Sequence, residues 1–198
     1  MNNTKFFTTK TVVYLAVLTT LLVVLNLLGT VFKIVTNINL TLIPIVLGAL
    51  TLGVKGGFIL GIISGLMTFI FGVTGLDPFT NFLFTQHPVI TFLTCTVKIA
   101  LAGVLGALVY SLLKNKNKHL ATFVASAVVP VVNTLIFIVG ALLMKDAISV
   151  FALDAGVSVI YFLIIICAGV NFLIELGINM LVAPAVYTVI QVVDKQLL

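Results

Sequence analysis

The chain has 198 residues, of which 62% are hydrophobic and only 8% charged, and its mean hydropathy is +1.36. A soluble domain carries about 25% charged residues, so this composition excludes an ordinary one. The net charge of +5 comes from ten lysines and no arginine against five acids. In so apolar a chain that excess points to cytoplasmic loops rather than to nucleic acid.

Long uncharged segments predict an all-α polytopic membrane protein, and the alternating pattern of an outer-membrane barrel is missing from the sequence. At roughly 20 residues per crossing, the chain has room for a bundle of six transmembrane helices in one membrane domain over 1–198. The expected helices cover 10–32, 41–54, 57–74, 89–113, 120–144 and 159–190. The first follows Lys5 and Lys10 but is too long for the apolar region of a secretory signal, and it is read as a membrane helix.

The second expected helix, 41–54, rises only about 21 Å, short of the ~30 Å hydrocarbon core. The segment before it, 33–39, is therefore expected to dip into the protein as irregular backbone around Asn39, tolerated there only beside protein or a wet cavity. The third helix carries Gly57-x-x-x-Gly61-x-x-x-Gly65, a spacing that lets another helix approach closely. Together with Ala16 and Thr20 on the first helix and Ala49 and Gly53 on the second, these small residues predict a smooth docking face for a partner, with internal packing as the alternative.

The loop 75–88 is long for so economical a chain and mixes turn residues with three phenylalanines, as a lid over a cavity would. It ends in Gln86-His87-Pro88 and leads into the fourth helix, where Thr91, Thr94, Cys95 and Lys98 recur at helical spacing. A lysine at the centre of a spanning helix costs about 2.5–3.5 kcal/mol on insertion scales. Lys98 is thus expected to meet a negatively charged group from outside the chain, or to form a structural ion pair with Glu175.

On the fifth helix Asn133 and Thr134 follow Pro130, which frees a backbone carbonyl and marks a kink beside a cavity. The last helix brings Asn171, Glu175 and Asn179 at successive four-residue steps, with Tyr161 nearer its outer end. The candidate substrate-binding residues are therefore Lys98, Asn133, Asn171, Glu175, Thr94, Gln86, His87, Tyr161 and Asn39. Lysine counts place Lys5, Lys10, Lys55, Lys114, Lys116, Lys118 and Lys195 inside and Lys33 and Lys145 outside, with both termini cytoplasmic.

The sequence contains no GxxxxGK[ST] nucleotide loop, no HExxH and no Cys/His cluster, so neither ATP hydrolysis by this chain, nor a metal, nor another cofactor is expected, and no enzymatic constellation is evident. Three rival readings remain at this level: a self-contained proton-coupled transporter using Glu175, a membrane enzyme and a structural assembly factor.

The short second helix, the inserting segment before it, the long outer loop and the small-residue first helix are together similar to the substrate-binding S components of energy-coupling factor (ECF) vitamin transporters. The family's Ala-x-x-x-Ala contact has its nearest counterpart in Ala16-x-x-x-Thr20. The resemblance implies a bacterial plasma-membrane subunit that works with a transmembrane coupling subunit and two ATPases. It also implies a vitamin pocket built by helices four to six and the outer loops, and toppling within the bilayer for delivery. Gln86-His87-Pro88 resembles the pantothenate members, and a lysine with amides suits that vitamin's carboxylate, amide and hydroxyls. Riboflavin, thiamine and folate stand behind it, because their flat rings stack on Trp or Tyr, and Trp is absent.

Overall fold

The computed structural model describes residues 7–31 and 37–197, with side chains described as far as Val193. Lys5, Lys33 and the side chain of Lys195 fall outside the described residues, as does the first part of the expected inserting segment. The described chain is helical: α1 (Thr9–Val31), α2 (Leu42–Val73), α3 (Pro78–Gln86), α4 (Pro88–Leu113), α5 (Lys118–Leu142), α6 (Lys145–Asp154) and α7 (Val159–Tyr161). A π-helical stretch (Phe162–Gly169) then joins α7 to α8 (Val170–Leu197). Five of the helical runs are long and apolar enough to cross a membrane.

The helices expected over 41–54 and 57–74 are the two arms of α2, joined at Gly53, whose φ of 70° and ψ of −158° leave the helical region. Only glycine adopts that conformation without steric penalty. The arms run antiparallel. Thr41 Oγ1 lies 2.7 Å from Ser64 Oγ, Gly48 packs on Leu60, and an added Cβ on Gly57 would sit 3.1 Å from Ala49 Cβ. A straight helix would hold each of these pairs many ångströms apart.

The glycine stripe packs α2 against α4. A Cβ on Gly57 would lie 2.5 Å from the Gly103 carbonyl oxygen, one on Gly61 2.6 Å from Ala100 Cα, and one on Gly65 2.6 Å from Thr96 Cα. This is the close backbone approach that small-xxx-small spacing permits. The docking expectation is corrected here for Gly57, Gly61 and Gly65, which meet a helix of their own chain. Ala49 is fully buried in the core, and Gly53 is the turn between the arms. Ala16 and Thr20 do lie exposed on α1, where Thr20 Oγ1 donates to the Ala16 carbonyl at 3.0 Å.

Two apolar clusters hold the bundle. One gathers Leu22, Ile45, Leu60, Ile99, Val129 and Ile190 from the long helices. The other gathers Phe79 and Leu83 of α3 with Met144, Ile148 and Leu163, so the expected loop 75–88 is a short helix with its apolar face buried. Pro78 occupies the first turn of α3, where its missing N–H has no helical partner to lose. The interval 145–158 between the last two expected helices likewise contains a helix, α6, and both short helices share the end of the bundle where the chain passes into α2 and out of α5.

Candidate functional site

A cavity of about 70 Å³ opens at that end, walled by α1, the second arm of α2, α3, α4, α5 and the π-helical entry to α8. Its lining is polar to a degree that the rest of the bundle is not. Lys98 enters from α4, Asn133 and Phe137 from successive turns of α5, and Asn171 and Glu175 from successive turns of α8. The irregular segment before α2 contributes Asn37 and Asn39, and the start of α3 contributes Asp77 and Phe79.

Local chemistry holds these groups in place. The Asn39 backbone N–H donates to Glu175 Oε1 at 3.0 Å, which ties the irregular segment to α8. Thr41 Oγ1 contacts Asn39 Oδ1 and Ser64 Oγ, bracing the same segment against the second arm of α2. The Lys98 ammonium lies 5.1 Å from the centre of the Phe137 ring, a cation–π contact worth about 0.5–2 kcal/mol. The expected alternative of a Lys98–Glu175 ion pair is corrected. Among the described residues neither side chain has an ionic partner within 4.0 Å.

Several buried atoms at the cavity lack a hydrogen-bond partner among the described residues: Asn37 Oδ1, Asn39 Nδ2, Asp77 Oδ1 and Asn133 Oδ1. Leaving such a group unsatisfied costs ~1–3 kcal/mol, so a ligand that supplies the partners gains by it. The open set comprises three acceptors and one donor, next to a cation. Among the described residues no three His, Cys, Asp or Glu side chains converge to hold a metal ion.

Of the residues singled out by sequence, the fold brings Lys98, Asn133, Asn171, Glu175 and Asn39 to this one cavity. The other four lie elsewhere. Thr94 packs against Gly140 where α4 crosses α5. Gln86 is exposed at the end of α3, and Tyr161 is 51% exposed at the start of the last helix. His87 bridges to α6, its Nε2 lying 2.9 Å from both carboxylate oxygens of Asp146. Asn179 donates to the Glu175 backbone carbonyl at 2.8 Å and stabilises its own helix.

Sequence reasoning missed Asn26, Asn37, Asp77 and Phe137 on the cavity wall. Two of these had a readable signal. Asn26 is the lone amide in the apolar run of α1, and Asp77 is the sole acid in the loop 75–88. The π-helical stretch, which supplies Cys167 and Ala168 to the wall, is an irregularity of the kind common at functional sites.

Comparison with known proteins agrees with this picture of a membrane-embedded binding cavity. No curated protein and no solved structure matches the chain. The family model described as "ECF transporter, substrate-specific component" matches residues 10–187. The chain therefore belongs to the substrate-specific components of ECF transporters, multi-pass membrane subunits that bind a small-molecule substrate and assemble with the other ECF subunits.

Proposed function

We propose that this subunit binds pantothenate, held in the cavity by Lys98. The observation that carries this reading is a lysine amine with no ionic partner within 4.0 Å among the described residues, lining one cavity with buried acceptor atoms that those residues leave unpaired. Pantothenate offers a single carboxylate to Lys98. Its two hydroxyls and one amide N–H are donors for Asp77, Asn37 and Asn133, and its amide carbonyl is an acceptor for Asn39 Nδ2. Its dimethyl carbon suits the phenyl wall of Phe71, Phe79 and Phe137. Riboflavin, thiamine and folate present larger ring systems, for which the lining has neither Trp nor Tyr.

In this reading the two arms of α2 each cross the membrane, so the chain crosses it six times with both termini cytoplasmic in a bacterial plasma membrane. The lysine-rich turn between α4 and α5 and Lys55 between the arms of α2 then lie inside, in accord with the positive-inside rule. The coupling subunit and two ATPases supply the energy, and the exposed Ala16 and Thr20 face of α1 receives the coupling subunit. Calorimetric titration of the detergent-purified chain with pantothenate, riboflavin, thiamine and folate tests the substrate. Tight binding of pantothenate alone is expected, and binding of a different vitamin would overturn the choice.

A further inference from the structure

Besides Lys98 and Glu175, the cavity holds a third ionisable group, Asp77. Asp77 is 5% exposed, lines the cavity and immediately precedes α3, making no side-chain capping hydrogen bond. Its carboxylate is half engaged. Thr80 Oγ1 donates to Oδ2 at 2.6 Å, whereas Oδ1 has no partner among the described residues. No lysine or histidine lies within 4.0 Å of it among the described residues. A buried carboxylate oxygen without a donor is costly, because desolvation is uncompensated.

The surrounding backbone holds this oxygen in position. The Asp77 N–H donates to the Phe71 carbonyl at 3.1 Å, and the Asn81 N–H donates back to the Asp77 carbonyl at 2.9 Å. Asn81 Nδ2 donates to the Gly72 carbonyl at 2.7 Å, and Thr80 packs directly on Gly72. The start of α3, and Asp77 with it, is thus tied to the end of α2 through the Phe71 carbonyl, the Gly72 carbonyl and the packing of Thr80 on Gly72, and Asp77 lines the cavity. Lys98 lines the same cavity and does not pair with it within 4.0 Å, so a basic and an acidic side chain share the cavity without neutralising each other directly.

We infer that Asp77 is a specificity-determining residue that accepts hydrogen bonds from the hydroxyl end of a bipolar ligand whose carboxylate end lies at Lys98. The inference rests on the pantothenate reading and adds the requirement of donors remote from the carboxylate. It predicts rejection of acids that match the ligand in shape but lack the hydroxyls, because Oδ1 would then be buried unpaired.

The test is a cycle of four calorimetric titrations on the full chain in detergent. Wild type and Asp77→Asn are each titrated with pantothenate and with its dideoxy analogue, in which both hydroxyls are replaced by hydrogen. Asp77→Asn keeps an oxygen for Thr80 and changes what the cavity meets. Wild type should lose about tenfold or more in affinity on removal of the hydroxyls, and Asp77→Asn should bind pantothenate weaker by a similar factor. The variant should scarcely distinguish the two ligands. Equal binding of both ligands by wild type would overturn the role of Asp77 without any variant. Equal losses for both ligands in Asp77→Asn would also overturn it, since the side chain would then act only by holding α3. Wild type that ignores pantothenate while binding another vitamin would overturn the underlying reading as well.

Discussion

Glu175 and Asn39 are 136 residues apart in sequence, and the Asn39 backbone N–H reaches the Glu175 carboxylate at 3.0 Å. The contact fastens an irregular segment, whose amides need partners from protein or from the cavity it lines, to the last long helix. Glu175→Leu leaves that N–H orphaned at ~1–3 kcal/mol. The variant should melt at lower temperature in detergent and bind ligand less tightly. Glu175→Gln, which keeps an acceptor oxygen, should retain most of both. Equal melting temperatures for wild type and Glu175→Leu would show that the contact carries no stability.

The α2–α4 crossing makes a separate prediction about small residues. Gly61→Leu drives a side chain into the Ala100 backbone, which cannot swing aside as a rotamer can, and overpacking of this kind costs about 1–3 kcal/mol or more. Monodisperse yield and melting temperature should both fall. Ala16→Leu, on the exposed face of α1, should leave the isolated subunit unchanged and reduce its recovery with the coupling subunit. If Gly61→Leu proved as stable as wild type, the glycine stripe would not be the packing seam of the fold.

Where α4 begins, His87 and Asp146 join it to α6 outside the membrane spans. The His87 hydrogen bond holds the Asp146 carboxyl below its ordinary value of 3.8. A carboxyl lowered in the folded state contributes stability above its unfolded value and loses it as pH falls through the folded one. Asp146 is fully exposed, so the contribution is small. In His87→Ala the Asp146 titration should move up towards 3.8, read by carbon NMR of labelled aspartate carboxyls. An unmoved midpoint would mean that the pair does not persist in solution.

Much of the site was legible because polar residues inside apolar runs are expensive and few. Lys98, Asn133, Asn171 and Glu175 stand out on that ground alone, and all four meet at one cavity. Asn39 was legible through geometry, since a short helix needed an inserted segment before it. Facing was less legible. Thr94 lies one turn from Lys98, yet the helix axis turns it towards Gly140.

The glycine spacing foretold a close approach but carried no information on which helix would make it. Asp77 was hidden because an acid before proline reads as ordinary turn chemistry. Only the packing of α3 under the cavity turns it inward. The two arms of α2 illustrate the same limit from the other side. Two helical arms stand in place of the helices expected over 41–54 and 57–74, and their antiparallel pairing rests on one glycine that propensity rules treat as a simple breaker.

The central claim is that this cavity binds an anionic small molecule through Lys98. Titration of wild type and Lys98→Ala with pantothenate, at matched melting temperatures, tests it most directly. A charge-assisted hydrogen bond is worth ~1.5–3 kcal/mol, so the variant should bind more weakly by about tenfold or more. Equal affinity in a properly folded Lys98→Ala would place the ligand somewhere other than beside this lysine.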